Sequence, residues 1–395
     1  MAMADGIGTA GEVFLAFLKL GLTSFGGPVA HLGYFRAELI ERRRWASEPV
    51  FAEIVSLCQF LPGPSSSQTG VALGLLRAGA WGGLAAWVGF TLPSAMLMTA
   101  FAESAAALPA SRLGAALLHG VKLVAVAIVA NALWQMARAL CPDWPRAAIA
   151  AGAAVIVVAV PASAGQIAGI LLGALAGLAL CRADGQRPAS APMSVPIPAW
   201  VGAACLISFG VLLLVSPWLG APEFGAFYRA GALVFGGGHV VLPLLHDALV
   251  RPGWVSDDAF LTGYGAAQAL PGPLFSVAAY LGAVMRPQAG GSLGAALALL
   301  AIFLPGFLLL GGVLPFWTRL RAHPAVPPAM RGINAAVVGL LAAALYDPLW
   351  LSAVFRVSDL LLVGIGFLLL TRWNVQPLAV VALITFGSVV VAGLG

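Results

Sequence analysis

Two stretches of this sequence place a cation seven residues before a pair of glycines inside an apolar segment. They are LKLGLTSFGGP at residues 18–28 and FYRAGALVFGGG at residues 227–238. Glycine permits positive φ and a close approach to the backbone, so a helix that meets such a pair can stop inside the segment. The residues of interest are Lys19, Gly26 and Gly27 in the first stretch and Arg229, Gly236 and Gly237 in the second.

A second kind of interruption is the tripeptide Pro-Gly-Pro, which occurs at residues 62–64 and again at 271–273. Proline lacks the amide donor that a continuous helix needs, so each tripeptide predicts a helix that ends and restarts. A restarted helix presents free amides and the positive end of its dipole, which attract oxyanions. The residues assigned to anion contact here are Gly63, Ser65, Ser66, Ser67 and Gly272.

Together these interruptions predict one cradle for a doubly negative anion, with amides and hydroxyls as donors and Lys19 and Arg229 as cations. An anion that enters a membrane loses its hydration, so fixed donors and positive charge must replace the water. Simpler roles stay open: glycine serves tight helix packing, serine caps helices, and long cationic side chains reach membrane surfaces.

Glu53 is a separate candidate, because apolar residues flank it on both sides in VFAEIVSLCQF. A carboxyl group inside a membrane can carry protons, which makes Glu53 the expected site of proton coupling. The alternative is a carboxylate at the membrane surface or paired with a loop arginine. His31 follows the first glycine pair. His239 lies beside the second pair, where both a packing role and contact with substrate are open.

Other chemistries find little support in the motifs. The four cysteines lie far apart without metal-ligand spacing, so neither a metal site nor a cofactor is expected. We find no zinc-protease helix, no nucleophile elbow and no phosphate-binding loop, which argues against an intramembrane enzyme and against ATP hydrolysis. Coupling to an ion gradient is the simpler energy source. An anion channel is a further alternative.

The composition is that of an integral membrane protein. Of 395 residues, 61% are hydrophobic and 9% are charged, whereas ordinary soluble domains have about 25% charged residues. Several apolar runs approach the roughly 20 residues that span a bilayer, which predicts an all-α polytopic fold. The net charge of +5 comes from residues scattered through short loops, so we expect a lipid bilayer and no nucleic acid as partner.

The sequence contains an internal repeat. FLKLGLTSFGG aligns with FYRAGALVFGG, WASEPVF with WVSDDAF, QFLPGP with QALPGP, and TLPSAML with FLPGFLL, at offsets of 209 to 212 residues. This spacing predicts an N-terminal repeat at 1–183, a linker with one unpaired helix at 184–221, and a C-terminal repeat at 222–395. Six segments per half plus the unpaired helix give about 13 segments with broken or re-entrant helices and inverted topology.

The motifs GLTSFGGPVAHLGYF and LCQFLPGPSSSQTGVALGLLRAG, with their second-half counterparts, resemble the chromate ion transporter family in its long, two-domain form. The resemblance implies a multi-pass protein of the bacterial inner membrane that exports chromate and confers chromate resistance, with sulfate as a similar anion. Import of sulfate or another oxyanion is the chief alternative. A homodimer is a further open question. The second glycine run continues with Gly238 where the first has proline, and the serine run becomes Leu274-Phe275-Ser276, so the halves differ in role.

Overall fold

The fold of the protein is taken from a computed structural model, which describes residues 8–105, 111–160, 163–181, 197–218, 221–235, 238–285 and 290–394. Within these ranges the regular secondary structure is helical and contains no strand. Four helices are long and apolar enough to cross a membrane, namely Ser65–Ser104, Arg112–Leu140, Gly291–Ala322 and Val326–Ala353. The predicted all-α membrane fold is therefore confirmed, while the count of about 13 segments stays a prediction.

The first half contains seven helices in its described part. They are α1 (Ala10–Thr23), α2 (Gly27–Phe35), α3 (Glu48–Phe60), α4 (Ser65–Ala105), α5 (Arg112–Leu140), α6 (Trp144–Ala159) and α7 (Ser163–Leu180). A π-helical turn, Arg36–Arg42, continues α2. α8 (Ala199–Val215) follows in the chain, and residues 184–196 of the expected linker lie outside the described residues, so the domain boundaries stay predictions.

The described part of the second half contains ten α-helices. Its α-helices are α9 (Pro222–Leu233), α10 (Val241–Leu249), α11 (Asp257–Ala269), α12 (Val277–Val284), α13 (Gly291–Val313), α14 (Trp317–Ala322), α15 (Val326–Ala344), α16 (Leu351–Ala353), α17 (Val357–Arg372) and α18 (Pro377–Leu394). Short 3-10 turns at Gly238–Val240 and Leu274–Ser276 lead into α10 and α12.

The repeat extends to backbone angles. α4 leaves helical geometry at Ala78 and Gly79, where Gly79 has φ 62°. The residue 212 positions later, Gly291, has φ 69° and opens α13. Because positive φ is natural for glycine, both halves can turn sharply at the same place between two packed helices.

The last two helices of each half pack against the other half. α6 and α7 pack on α15, where a Cβ on Gly339 would lie 2.0 Å from the carbonyl oxygen of Ala150. α17 and α18 pack on α5, where a Cβ on Gly120 would lie 2.7 Å from the Cα of Thr385. Small residues let these helices approach closely. The exchange interlocks the two halves around a shared apolar core.

Candidate functional site

The described glycines of the four interruptions have left-handed backbone conformations. The φ angles are 97° at Gly26, 79° at Gly27, 121° at Gly63 and 97° at Gly272. A side chain at positive φ costs energy, so glycine is needed for these turns. The remaining pair, Gly236 and Gly237, lies outside the described residues.

The interruptions of the two halves meet each other. The amide of Gly63 donates to the carbonyl of Val234 at 2.7 Å, and the amide of Gly272 donates to the carbonyl of Ser24 at 2.9 Å. Both bonds join a Pro-Gly-Pro tripeptide to the glycine run of the opposite half, at positions that the repeat makes equivalent. We call this meeting place, residues 24–28, 62–64, 234–235, 238 and 271–273, the junction. Its reciprocal contacts indicate approximate two-fold symmetry.

Two proline-containing helices close the junction. A Cβ on Gly63 would lie 3.1 Å from the Cα of Gly306 in α13, and a Cβ on Gly272 would lie 2.9 Å from the Oγ of Ser94 in α4. Ser94 and Gly306 are equivalent in the repeat, each directly after a proline. The repeated TLPSAML and FLPGFLL motif that contains these residues could not be placed at the site from sequence, because its contact with the turns depends on helix packing.

Gln68 fastens one side of the junction. Its Nε2 donates to the carbonyl of Pro62 at 3.0 Å and to the carbonyl of Gly306 at 2.9 Å. Two carbonyl acceptors require the amide nitrogen there, so the orientation of the side chain is fixed. The other end, Oε1, is buried without a described hydrogen-bonding partner.

Several other buried polar atoms near the junction also have no partner among the described residues. They belong to Ser24 (Oγ), His31 (Nε2), Ser67 (Oγ) and Thr91 (Oγ1). Buried polar atoms in native proteins are nearly always hydrogen-bonded to protein or ordered water. A group of them beside one interruption is therefore typical of a site that receives a polar ligand or water. Spacing alone did not single out Ser24, Gln68 or Thr91, because their burial depends on the packing of distant helices.

The three expected serines begin α4 as predicted for a restarted helix. Ser66 is buried, and its Oγ lies 3.3 Å from Nδ1 of His31. Ser67 is buried with an unpartnered hydroxyl, and Ser65 is half-buried. The structure thus brings Ser66 and Ser67 to the junction together with Gly26, Gly27, Gly63 and Gly272.

The two expected cations have partners of their own. Lys19 is 53% exposed at the side chain and forms a salt bridge of 3.0 Å with Glu38. Arg229 donates to the hydroxyl of Ser216 at 3.4 Å. Lys19 lies five residues before Ser24, the residue that ends α1, so it borders the junction. Among the described turn glycines, none is recorded in contact with either cation.

Glu38 holds several cations in the turn after α2. It accepts hydrogen bonds from Lys19, from Arg43 at 2.9 Å and from Arg42. Burial by itself would raise the pKa of Glu38, but these donors outweigh it and lower the pKa to about 2. Glu38 therefore stays ionised throughout the physiological range.

Glu53 lies in a different place from the junction residues. It is buried, and it accepts from Trp317 Nε1 at 2.6 Å and from Arg321 Nη1 at 2.8 and 2.6 Å. Both donors come from α14 of the second half. This arrangement agrees with the alternative of a carboxylate paired with an arginine. The role of Glu53 in proton coupling stays a prediction.

A family model described as chromate transporter matches residues 11–178 and again residues 223–391. Each match covers one of the halves that meet at the junction. The chain belongs to the chromate transporter family. With the four long apolar helices, and with relatives from bacteria, this membership identifies a multi-pass protein of the cell membrane.

Chromate transporter relatives cover most of the chain. The chain is 32% identical to the chromate transport protein of Pseudomonas aeruginosa over 85% of this chain and 80% of the relative. It is 26% identical to the chromate transport protein of Cupriavidus metallidurans, over 85% and 82% respectively. An uncharacterized transporter of Bacillus subtilis, YwrA, is 30% identical over 42% of this chain and 95% of its own length. No solved structure matches the chain.

In this chromate transporter family member the two sides of the junction differ chemically. The first half contributes His31, Ser66, Ser67 and Gln68 from α2 and α4. In the second half, Nδ1 of His239 lies 2.9 Å from the hydroxyl of Tyr264. No group of metal-ligating side chains occurs among the described residues.

Proposed function

We propose that this protein carries chromate across the cell membrane, out of the cytoplasm, and thereby confers chromate resistance. Two relatives are named chromate transport protein. The observation that carries the proposal is the junction, where the interruptions of both halves join through reciprocal hydrogen bonds beside unpartnered buried polar atoms. Discontinuous helices that meet between two repeats are the usual substrate sites of secondary transporters.

The chemistry of the junction suits a tetrahedral oxyanion. The hydroxyls of Ser24 and Ser67, and the amides at the N-terminus of α4, would donate hydrogen bonds in place of water. Gly26, Gly27, Gly63 and Gly272 let the backbone turn there, and Ser65 and Ser66 belong to the same helix start. Gly236 and Gly237 are proposed for substrate contact from the repeat alone. The inverted repeat would expose this site to each side of the membrane in turn.

Lys19 and Arg229 contribute positive charge in this proposal. An arriving anion would compete with Glu38 for Lys19, so the salt bridge would open when substrate enters. Arg229, bonded only weakly to Ser216 at 3.4 Å, would turn towards the anion from the other half. Both cations also raise the local anion concentration by their field.

A proton gradient is the proposed energy source and sulfate the expected competitor. Chromate and sulfate are tetrahedral dianions of similar shape, so donors placed for one also fit the other. Import of sulfate is the second candidate function, favoured by the same donors. Everted vesicles test this function. If the protein exports chromate, the vesicles should accumulate chromate when a proton gradient is imposed, and added sulfate should reduce the amount that accumulates. A vesicle that accumulates neither anion contradicts the proposal.

A further inference from the structure

A polar groove lies between α5 and α17, near the C-terminal end of each helix. Its volume is about 430 Å³, and none of the junction residues lines it. The polar part of its lining consists of Asn131, Gln135 and Arg138 from α5, Thr371 from α17, Asn374 just beyond α17, and the indole of Trp134. The groove is therefore a second candidate binding site, separate from the proposed path of the transported anion.

The local structure explains why these residues share one groove. Residues 131, 134, 135 and 138 follow the spacing i, i+3, i+4 and i+7, so they lie on one face of α5. Beyond α17, Asn374 has φ 49°, and the amide of Val375 donates to the carbonyl of Leu369 at 3.0 Å. This left-handed residue ends the helix and turns the chain at the edge of the groove.

Arg138 brings uncompensated positive charge to the groove. Its guanidinium carbon lies 5.7 Å from the centre of the Trp134 ring. No carboxylate of the described residues forms a salt bridge with Arg138, and nearby Asp143 is already paired with Arg146. A simpler role for Arg138 is to offset the partial negative charge at the end of α5. That role needs no ligand, so a binding measurement separates the two.

The groove also offers an amide donor. Nε2 of Gln135 donates to Oδ1 of Asn131 at 3.2 Å. Because this bond occupies the carbonyl oxygen of Asn131, its Nδ2 is left to donate to a ligand. An arginine fork next to an amide donor suits the oxygens of a phosphate group.

The tryptophans around the groove place it at the level of the lipid headgroups. Trp134 lies near the end of α5, Trp144 begins α6, and Trp373 follows α17; all of them are exposed. Exposed tryptophans near the ends of membrane helices are typical of the boundary between lipid and water. Arg138, one turn before the end of α5, therefore lies within reach of the headgroup phosphates.

An apolar stripe on α17 leads away from the groove. Leu361, Ile365 and Leu368 are exposed and have the spacing i, i+4 and i+7, which places them on one face of the helix. Leu368 lies one turn before the groove residue Thr371. A ligand with a phosphate in the groove and hydrocarbon chains on this stripe would match both surfaces.

We propose that the groove binds the headgroup phosphate of an anionic phospholipid, with Arg138 and Asn131 as donors and the α17 stripe as the surface for the acyl chains. A zwitterionic headgroup fits less well, because its cationic amine would find no carboxylate in the described lining and the guanidinium already covers the ring of Trp134. Basic pockets between transmembrane helices are typical sites for anionic headgroups.

Native mass spectrometry of the purified full chain tests the inference. The chain is titrated in detergent with phosphatidylglycerol or phosphatidylcholine of identical acyl chains, and the first lipid that stays bound is counted. We expect the wild type to prefer phosphatidylglycerol. Arg138→Gln should weaken that lipid roughly five- to tenfold and leave phosphatidylcholine unchanged, whereas Arg138→Lys keeps the charge and should retain most of the binding.

Arg112→Gln is the matched control. It removes the same charge from an exposed position at the other end of α5, and it should bind both lipids like the wild type. Equal affinity of the wild type for the two lipids overturns the proposal without any variant. Wild-type affinity in Arg138→Gln also overturns it. Displacement of the lipid by an equal concentration of inorganic phosphate would assign the groove to a free anion and contradict the lipid.

Discussion

Gly63 donates a hydrogen bond to Val234 at 2.7 Å, and Gly272, its equivalent in the second half, donates to Ser24 at 2.9 Å. Each bond crosses from one repeat to the other. The two turns are therefore mutually dependent: a change at one glycine disturbs the opposite glycine run as well. A substrate held between them would contact both halves at once, which is what alternating access between repeats requires.

Alanine at either turn glycine should disable the junction. Gly63→Ala and Gly272→Ala each impose a Cβ at positive φ, which costs roughly 1–2 kcal/mol, and each new Cβ would contact a neighbour at about 3 Å or less. We expect chromate transport to fall at least about tenfold in vesicles, since displaced donors weaken binding by more than about 1.4 kcal/mol. Gly152→Ala on α6 is the control, because a Cβ there meets nothing within 4 Å.

Removing the charge of Lys19 should weaken transport without harming expression. Lys19→Gln loses a cation beside the junction, so we expect a higher KM for chromate. Glu38→Gln should act in the opposite direction and lower KM, because Lys19 no longer has to leave a carboxylate. Measured KM values that are the same for Lys19→Gln and wild type would show that Lys19 serves only the salt bridge.

The Lys19–Glu38 salt bridge should persist well below neutral pH. The pKa of Glu38 in the folded chain is about 2, below its ordinary value of about 4.3. The stabilisation is therefore complete above about pH 4.3 and is lost as pH falls through about 2. We expect a thermal unfolding temperature that is insensitive to Glu38→Gln at pH 2 but lowered by it at pH 7. A similar effect at both pH values would contradict the paired carboxylate.

Glu53 should be important for stability. Glu53→Gln leaves Arg321 and Trp317 with a weaker acceptor, and we expect the free energy of unfolding to fall by about 1–3 kcal/mol for this partly buried pair. A flattened pH profile of transport in a folded Glu53→Gln variant would support the predicted role of Glu53 in proton coupling. An unchanged profile would contradict that role.

The hydroxyl of Ser67 should contribute to substrate binding. Ser67→Ala removes an unpartnered buried donor, so it should not destabilise the empty protein, yet it should lower chromate affinity by about 1 kcal/mol. Ser104→Ala, at the exposed end of the same helix, is the control. Equal affinity in both variants would remove Ser67 from the site.

The repeat and the helix interruptions could be predicted from sequence because both are local patterns. Phe-Gly-Gly and Pro-Gly-Pro constrain the backbone wherever they occur, and their spacing reveals the duplication. The partners of the charged side chains could not be predicted: Lys19 meets Glu38 after a turn, and Glu53 meets Arg321 from the other half. The first pair depends on the fold of the turn after α2, and the second depends on how helices pack across the two repeats.

The sequence also could not predict that the last two helices of each half pack against the other half. α17 and α18 read as ordinary apolar segments, and only packing on α5 reveals that they cover the opposite half. His31 was visible as a polar residue after the first interruption. The burial of His31 and its unpartnered Nε2 depend on packing against α4, which local sequence patterns do not reveal.

The proposed function requires that the helix interruptions of the two halves together build one oxyanion site. Equilibrium binding of chromate to the purified full chain, counted per chain for wild type, Gly63→Ala, Gly272→Ala and Gly152→Ala, tests it most directly. We predict about one anion per chain in the wild type, an affinity roughly tenfold weaker in each of the two junction variants, and no change in the control. Two anions per chain, or one junction variant that binds like the wild type, would contradict a single shared site.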